Sequence, residues 1–264
     1  MTENNVEDSW KHLSAEDRSA KLHLDIDRLE RDLATLTRDT NPAQWARTQM
    51  CLGTAYARLL TGDPETNFRK AIDYYEQALM VYTRETHPRE WARVQNNLAG
   101  AWSSLPAEDP SANLRNAIDC CERALSVHTL EEHPEEWATI QNNLGNAWSS
   151  LPTREPLATF GAAIACYERA LEIHTRDAHP VHWAETTLNL ALTEACLAWV
   201  DKANRCEHLR CAVAGVLAAL DVLTEEEFPY EHSFAMEKLG LLFQDYEMEG
   251  CGKDFPFDDI EPAG

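Results

Sequence analysis

Tryptophan recurs at one fixed interval of 46 residues, at Trp45, Trp91, Trp137 and Trp183. Each carries its neighbours with it: Asn41-Pro42 and Ala46, His87-Pro88 and Ala92, His133-Pro134 and Ala138, His179-Pro180 and Ala184. Further in, Gln95-Asn96-Asn97-Leu98 is answered one period on by Gln141-Asn142-Asn143-Leu144. Self-similarity at such a period means an array of like units, each burying on its neighbour a face it cannot bury alone. A stack of this kind grows without dividing into separate cores, so the 264 residues are read as one array.

Each unit holds two helices. In the second unit Trp91, Val94, Leu98, Trp102 and Leu105 fall on one helical stripe. Pro88 stands at its first position, where a missing N–H costs nothing, and Pro106 stops it. A second helix follows with Leu114, Ala117, Ile118, Cys121, Ala124 and Leu125 inward, and Ser111 or Asn113 is expected to cap it. Residues 14 to 40 read as one more helix. Its end, from Leu29 to Pro42, lines up with Tyr167 to Pro180 at an offset of 138, three periods. The units are therefore an N-terminal capping half-repeat (1–41), full repeats at 42–87, 88–133, 134–179 and 180–228, a closing half-repeat helix (229–248) and an acidic tail (249–264). The fourth repeat carries three extra residues around Asp201 to Asn204.

The formal charge is −22, from 23 Lys and Arg against 45 Asp and Glu. Such a field repels phosphate backbones and anionic lipid, which argues against nucleic acid and membrane partners and favours a basic protein or peptide. The start of the chain shows no basic, then apolar, signal pattern, and the longest apolar run, Cys211 to Leu220, is too short to span a bilayer. A cytoplasmic, reducing setting is expected, with most of the eight cysteines acting as small buried hydrophobes.

Leu144-Gly145, Trp148, Ala163, Tyr167 and Ala170 occupy the alternating small and large positions of the tetratricopeptide repeat, as do Leu98, Trp102, Ala117, Cys121 and Ala124 one unit earlier. Over residues 20 to 248 the chain resembles an extended tetratricopeptide array, its unit lengthened to 46 residues from the usual 34. The resemblance implies an all-α fold, a right-handed solenoid of antiparallel helix pairs whose first helices line a concave groove. Long repeats with this Trp-Ala and Gln-Asn-Asn-Leu wording also resemble bacterial proteins joined to, or encoded near, caspase-like proteases.

The repeated tryptophans are expected to fill the seams between units. His87, His133 and His179, with His128 and His174, recur in the same way. Equivalent residues in stacked repeats stand on the order of 10–20 Å apart, too far to share an ion. Cys206, His208 and Cys211, with Cys196 upstream, are the one cluster hinting at zinc, and they lack the close cysteine pair such sites use. No metal, cofactor or catalytic residue is expected: there is no phosphate loop, nucleophile elbow or paired-carboxylate motif.

The asparagines are the functional lead. Asn96, Asn97, Asn142, Asn143, Asn146 and Asn189 lie on first helices, where Asn is a middling helix former and needs a reason. Amides carry both donor and acceptor, which suits gripping an extended backbone or, equally, bonding repeat to repeat. Arg47, Arg58 and Arg93 are expected on the same surface, towards its N-terminal end. Some tetratricopeptide grooves clamp a terminal carboxylate with cations. Thr139 and Ser149, then Glu185, Leu188 and Leu192, at the matching positions argue against a full clamp here. The reading is a non-catalytic scaffold that binds a partner segment. The alternative is a regulatory subunit, inhibitor or cleavage target of a bacterial caspase-like protease, with basic loops at Arg154 and at Lys202 to Arg205. The tail, with Phe255, Phe257 and Ile260 among carboxylates, could dock in the groove.

Overall fold

The protein is described by a computed structural model over residues 15–251. The first 14 residues, and the expected tail from residue 252 on, lie outside the described residues. Among the described residues there are ten helices and no strand: α1 (Ala15–Leu33), α2 (Pro42–Ala57), α3 (Pro64–Leu79), α4 (Pro88–Ser104), α5 (Ser111–Leu125), α6 (Pro134–Ser150), α7 (Pro156–Leu171), α8 (Pro180–Val200), α9 (Arg205–Leu220) and α10 (Pro229–Met248). Each helix packs on the next in chain order. In addition α2 touches α4, α4 touches α6 and α6 touches α8. The first helices of successive pairs thus make one continuous face.

The turn between pairs is built the same way five times. Thr37, Thr83, Thr129, Thr175 and Thr224 each accept, on Oγ1, the backbone N–H three residues on, at 3.1–3.4 Å. Their carbonyls accept the N–H four residues on, from Asn41, His87, His133, His179 and Phe228, at 2.8–3.0 Å. Proline follows at once as the first helical residue, its fixed φ already suited to the helix. In the four full repeats the tryptophan N–H then closes the first turn on the residue before the proline, at 2.8–2.9 Å. All four tryptophans are half-buried. Trp45 and Trp91 pack on the core that runs through α1–α7, and Trp183 on the core of α8–α10.

Three expectations need correction. The first helix stops at Leu33, because the chain must turn at Thr37 to enter the repeat connection. Neither Ser111 nor Asn113 caps α5: Pro110 holds the cap position, Ser111 is the first helical residue and gives its N–H to Asp109 Oδ1 at 2.9 Å. Asn113 reaches back to the Leu105 carbonyl instead. Finally, Cys206 forms a disulfide with Cys251, joining the start of α9 to the end of α10. Cys120, Cys121 and Cys166 do behave as small hydrophobes. Burial pushes the Cys120 thiol up to about 11 and raises the other two.

Within a pair, size is traded across the contact. A methyl on Gly53 would stand 2.7 Å from the Tyr75 ring, and one on Gly145 would stand 2.6 Å from the Tyr167 ring. At the same positions the second repeat holds Ala99 and Cys121, both fully buried. A small helix position therefore admits a tyrosine, and a slightly larger one demands a smaller partner. Gly145→Ala should destabilise the chain by roughly 1–3 kcal/mol. Adding Tyr167→Cys, which recreates the second repeat's pair, should cost less than the two single changes summed. Denaturant unfolding of the three variants measures this; strict additivity would show that the two positions do not share space.

Candidate functional site

The asparagines are largely committed to the seams. Asn143 Nδ2 donates to Asn96 Oδ1 at 2.9 Å, and Asn189 Nδ2 donates to Asn142 Oδ1 at 3.2 Å. The spacing of 47 places each donor one residue beyond the acceptor's equivalent in the next repeat. The ladder stops where its residues change: Met50 stands at the acceptor position before Asn96, and Leu188 at the one after Asn142. Asn146 accepts from the Tyr167 hydroxyl at 2.8 Å, inside its own pair. Asn97 is half-buried and stands outside the ladder. Arg47 and Arg93 are exposed at equivalent positions of α2 and α4, and both guanidinium charges act on the Tyr82 phenol between them. Burial is still the larger influence and raises that phenol.

Beside the ladder runs a column that sequence reasoning passed over. Gln49, Gln95 and Gln141 are buried, and the Oε1 of each lacks a hydrogen-bond donor. Their signal was the same recurrence of 46 that exposed the asparagines.

Histidines gather at the other edge of the seams. Those flanking a single turn meet. His128 and His133 lie edge to face at 4.8 Å, and His174 lies 5.0 Å from His182 and 5.8 Å from His179. Together with Arg93 and Glu135, His128, His174, His179 and His182 line a cavity of about 230 Å³. His179 Nδ1 sits 3.2 Å from the Ile173 carbonyl, so that nitrogen carries the proton, and Nε2 lies 3.5 Å from Glu135. His182 was absent from the histidines singled out in sequence. Among the described residues no group of three or more His, Cys, Asp or Glu is placed to hold a metal ion. The Cys206, His208 and Cys211 trio does not converge either. Cys206 is in the disulfide, and His208 is held by Glu194 at 2.6 Å and Asp201 at 3.5 Å.

The buried imidazoles set a pH limit. His174 is almost fully buried, and burial, helped by His182 and His179, pushes it down to about 4; His128 is lowered for the same first reason. An unfolded histidine titrates near 6.5. As the pH falls below that, the unfolded chain takes up a proton that folded His174 refuses, so stability falls between about pH 6.5 and 4. His174→Phe, which keeps the ring and removes the titration, should lose about 2 kcal/mol less stability than wild type between pH 7.5 and 5. Denaturant melts at the two pH values measure it, and equal acid losses in the two proteins would overturn the assignment.

No family model matches the chain, and no curated protein matches it. Among solved structures, the crystal structure of BtubC (BKLC) from P. vanneervenii is similar, with a TM-score of 0.56 and 19% sequence identity over 96% of this chain and 95% of that one. At that identity the likeness is one of fold, and the chain is a helical protein of the repeat type.

Proposed function

We propose that the chain is a non-catalytic scaffold of the extended tetratricopeptide kind, a right-handed solenoid that holds a peptide or protein segment along the concave face of its first helices. The observation that carries this reading is the succession of contacts α2 to α4, α4 to α6 and α6 to α8. These leave a continuous polar face bearing Arg47, Arg93 and the asparagine ladder. Asn96, Asn142, Asn143, Asn146 and Asn189 serve this face mainly by fixing the helices that form it, and secondarily through donors the ladder does not use; Asn97 stands beside them for the partner alone. The negative charge favours a basic partner.

A second reading, a target or regulator of a caspase-like protease, draws on Arg154 and Lys202, which are exposed in connections between helices. Arg205 does not belong with them. It is half-buried, donates to the Ala198 carbonyl at 2.9 Å, pairs with Glu249 and lies over the Trp199 ring.

Peptides selected from a randomised display library against the full chain, then made with a photo-crosslinking residue, test the scaffold reading. Crosslinks read by mass spectrometry should fall on α2, α4, α6, α8 and α10. Crosslinks confined to the second helices, or a library that yields no binder, would contradict it.

A further inference from the structure

The face of first helices is not uniform. The three contacts that close it between α2 and α8 have no counterpart of like extent between α8 and α10. This is also where the repeat lengthens by three residues and where Leu188 ends the asparagine ladder. At this end of the face there is a cleft of about 310 Å³, walled by Leu188, Leu223, Tyr230 and Phe234, with Glu185 and Glu231 among its lining. Asn142 and Asn146 stand on its far wall, and each is used only through its carbonyl oxygen, which keeps amide N–H donors for a visiting carbonyl.

The cleft continues into an exposed apolar line. At 3.6 residues per turn, Tyr230, Phe234, Leu241 and Met248 fall within roughly 40° of one another on α10. Their exposures are 78%, 37%, 51% and 74%. Aromatic and aliphatic side chains collected this way, beside a concavity, mark a surface that works by being covered. Glu237 lies on the same line, and the nearby cation, Lys238, is paired with it at 3.0 Å while resting over the Phe234 ring.

The geometry points to a docking site between α8 and α10 for a partner segment that carries an aromatic or long aliphatic anchor flanked by lysine or arginine. Charge selects this occupant over two others. A second copy would bring another net −22 against Glu185 and Glu231. The chain's own tail would bring Asp254, Asp258, Asp259 and Glu261 against the single Lys253. A basic segment meets the opposite sign and places its anchor on the rings. The other end of the same face carries Arg47 and Arg93, so a longer segment would lie in one direction, its basic part toward α10.

This deepens the scaffold reading and rests on it. The test is fluorescence anisotropy of the full chain with a labelled peptide whose central Leu-Phe pair is flanked by lysines, beside its glutamate-flanked counterpart. The lysine peptide should bind and the glutamate peptide should not. Tyr230→Ser with Phe234→Ser, both on the surface, should weaken binding at least about tenfold with the melting temperature held. Glu185→Lys with Glu231→Lys should reverse the preference. No binding of the lysine peptide, or binding indifferent to the serine changes, would overturn the site. If other peptides still crosslink to the first helices, the groove reading survives that outcome alone. Binding that emerges only with Phe255→Ser and Phe257→Ser would assign the cleft to the tail. A dimer that Phe234→Ser dissociates in sedimentation would assign it to a second copy. Either result overturns the proposal.

Discussion

The connection between helix pairs is the constraint on which everything else in this fold depends. One threonine hydroxyl takes the N–H three residues on, its carbonyl takes the N–H four residues on, and a proline then starts the next helix. Because both hydrogen bonds are local, the turn has the same geometry whatever packs around it. Each pair therefore leaves and returns at the same pitch, and the same faces meet at every seam. The three added residues of the fourth repeat fall between α8 and α9 and leave the threonine turn at Thr224 intact. The stack consequently continues past them, although the face of first helices opens there.

Given that pitch, the seams are specified by pairs of positions that answer one another. Gly145 makes room for Tyr167, and the hydroxyl of Tyr167 is in turn satisfied by Asn146. Asn96 and Asn142 reach the next repeat's Asn143 and Asn189, which satisfies polar groups in a half-buried place and fixes the axial register. At the first seam Tyr56 gives its hydroxyl to Glu30 at 3.0 Å, tying the capping helix α1 to the array. Burial and that carboxylate together hold the phenol up at about 12. Apolar bulk supplies most of the stability, and the polar pairs decide which face meets which.

Much of this was legible in the sequence, for a physical reason. Proline can open a helix but cannot continue one, so Pro88, Pro134 and Pro180 announce the helix starts, and the stripe from Trp91 to Trp102 announces the buried side. What Asn96 and Asn143 do was not legible, because an amide on a helix looks the same whether it faces a ligand or a neighbour. The choice depends on a residue 47 positions away. The threonines were visible as a repeat but not as a turn, since their role lies in backbone N–H groups that leave no mark on residue type. The disulfide was missed because Cys206 and Cys251 have no equivalents in other repeats, so periodicity said nothing about them. On α10, Leu239 and Leu242 are buried whereas Tyr230 and Leu241 are exposed, a division that residue type alone does not announce.

A chain whose repeats touch only their neighbours should lose structure from its ends, and hydrogen exchange followed helix by helix under graded denaturant reads this most directly. Protection should peak in α4 to α7 and decline toward α1 and α10, with the two helices of a pair opening together. Equal protection in all ten helices, lost in one step, would mean that the array is a single cooperative core and not a stack of coupled seams.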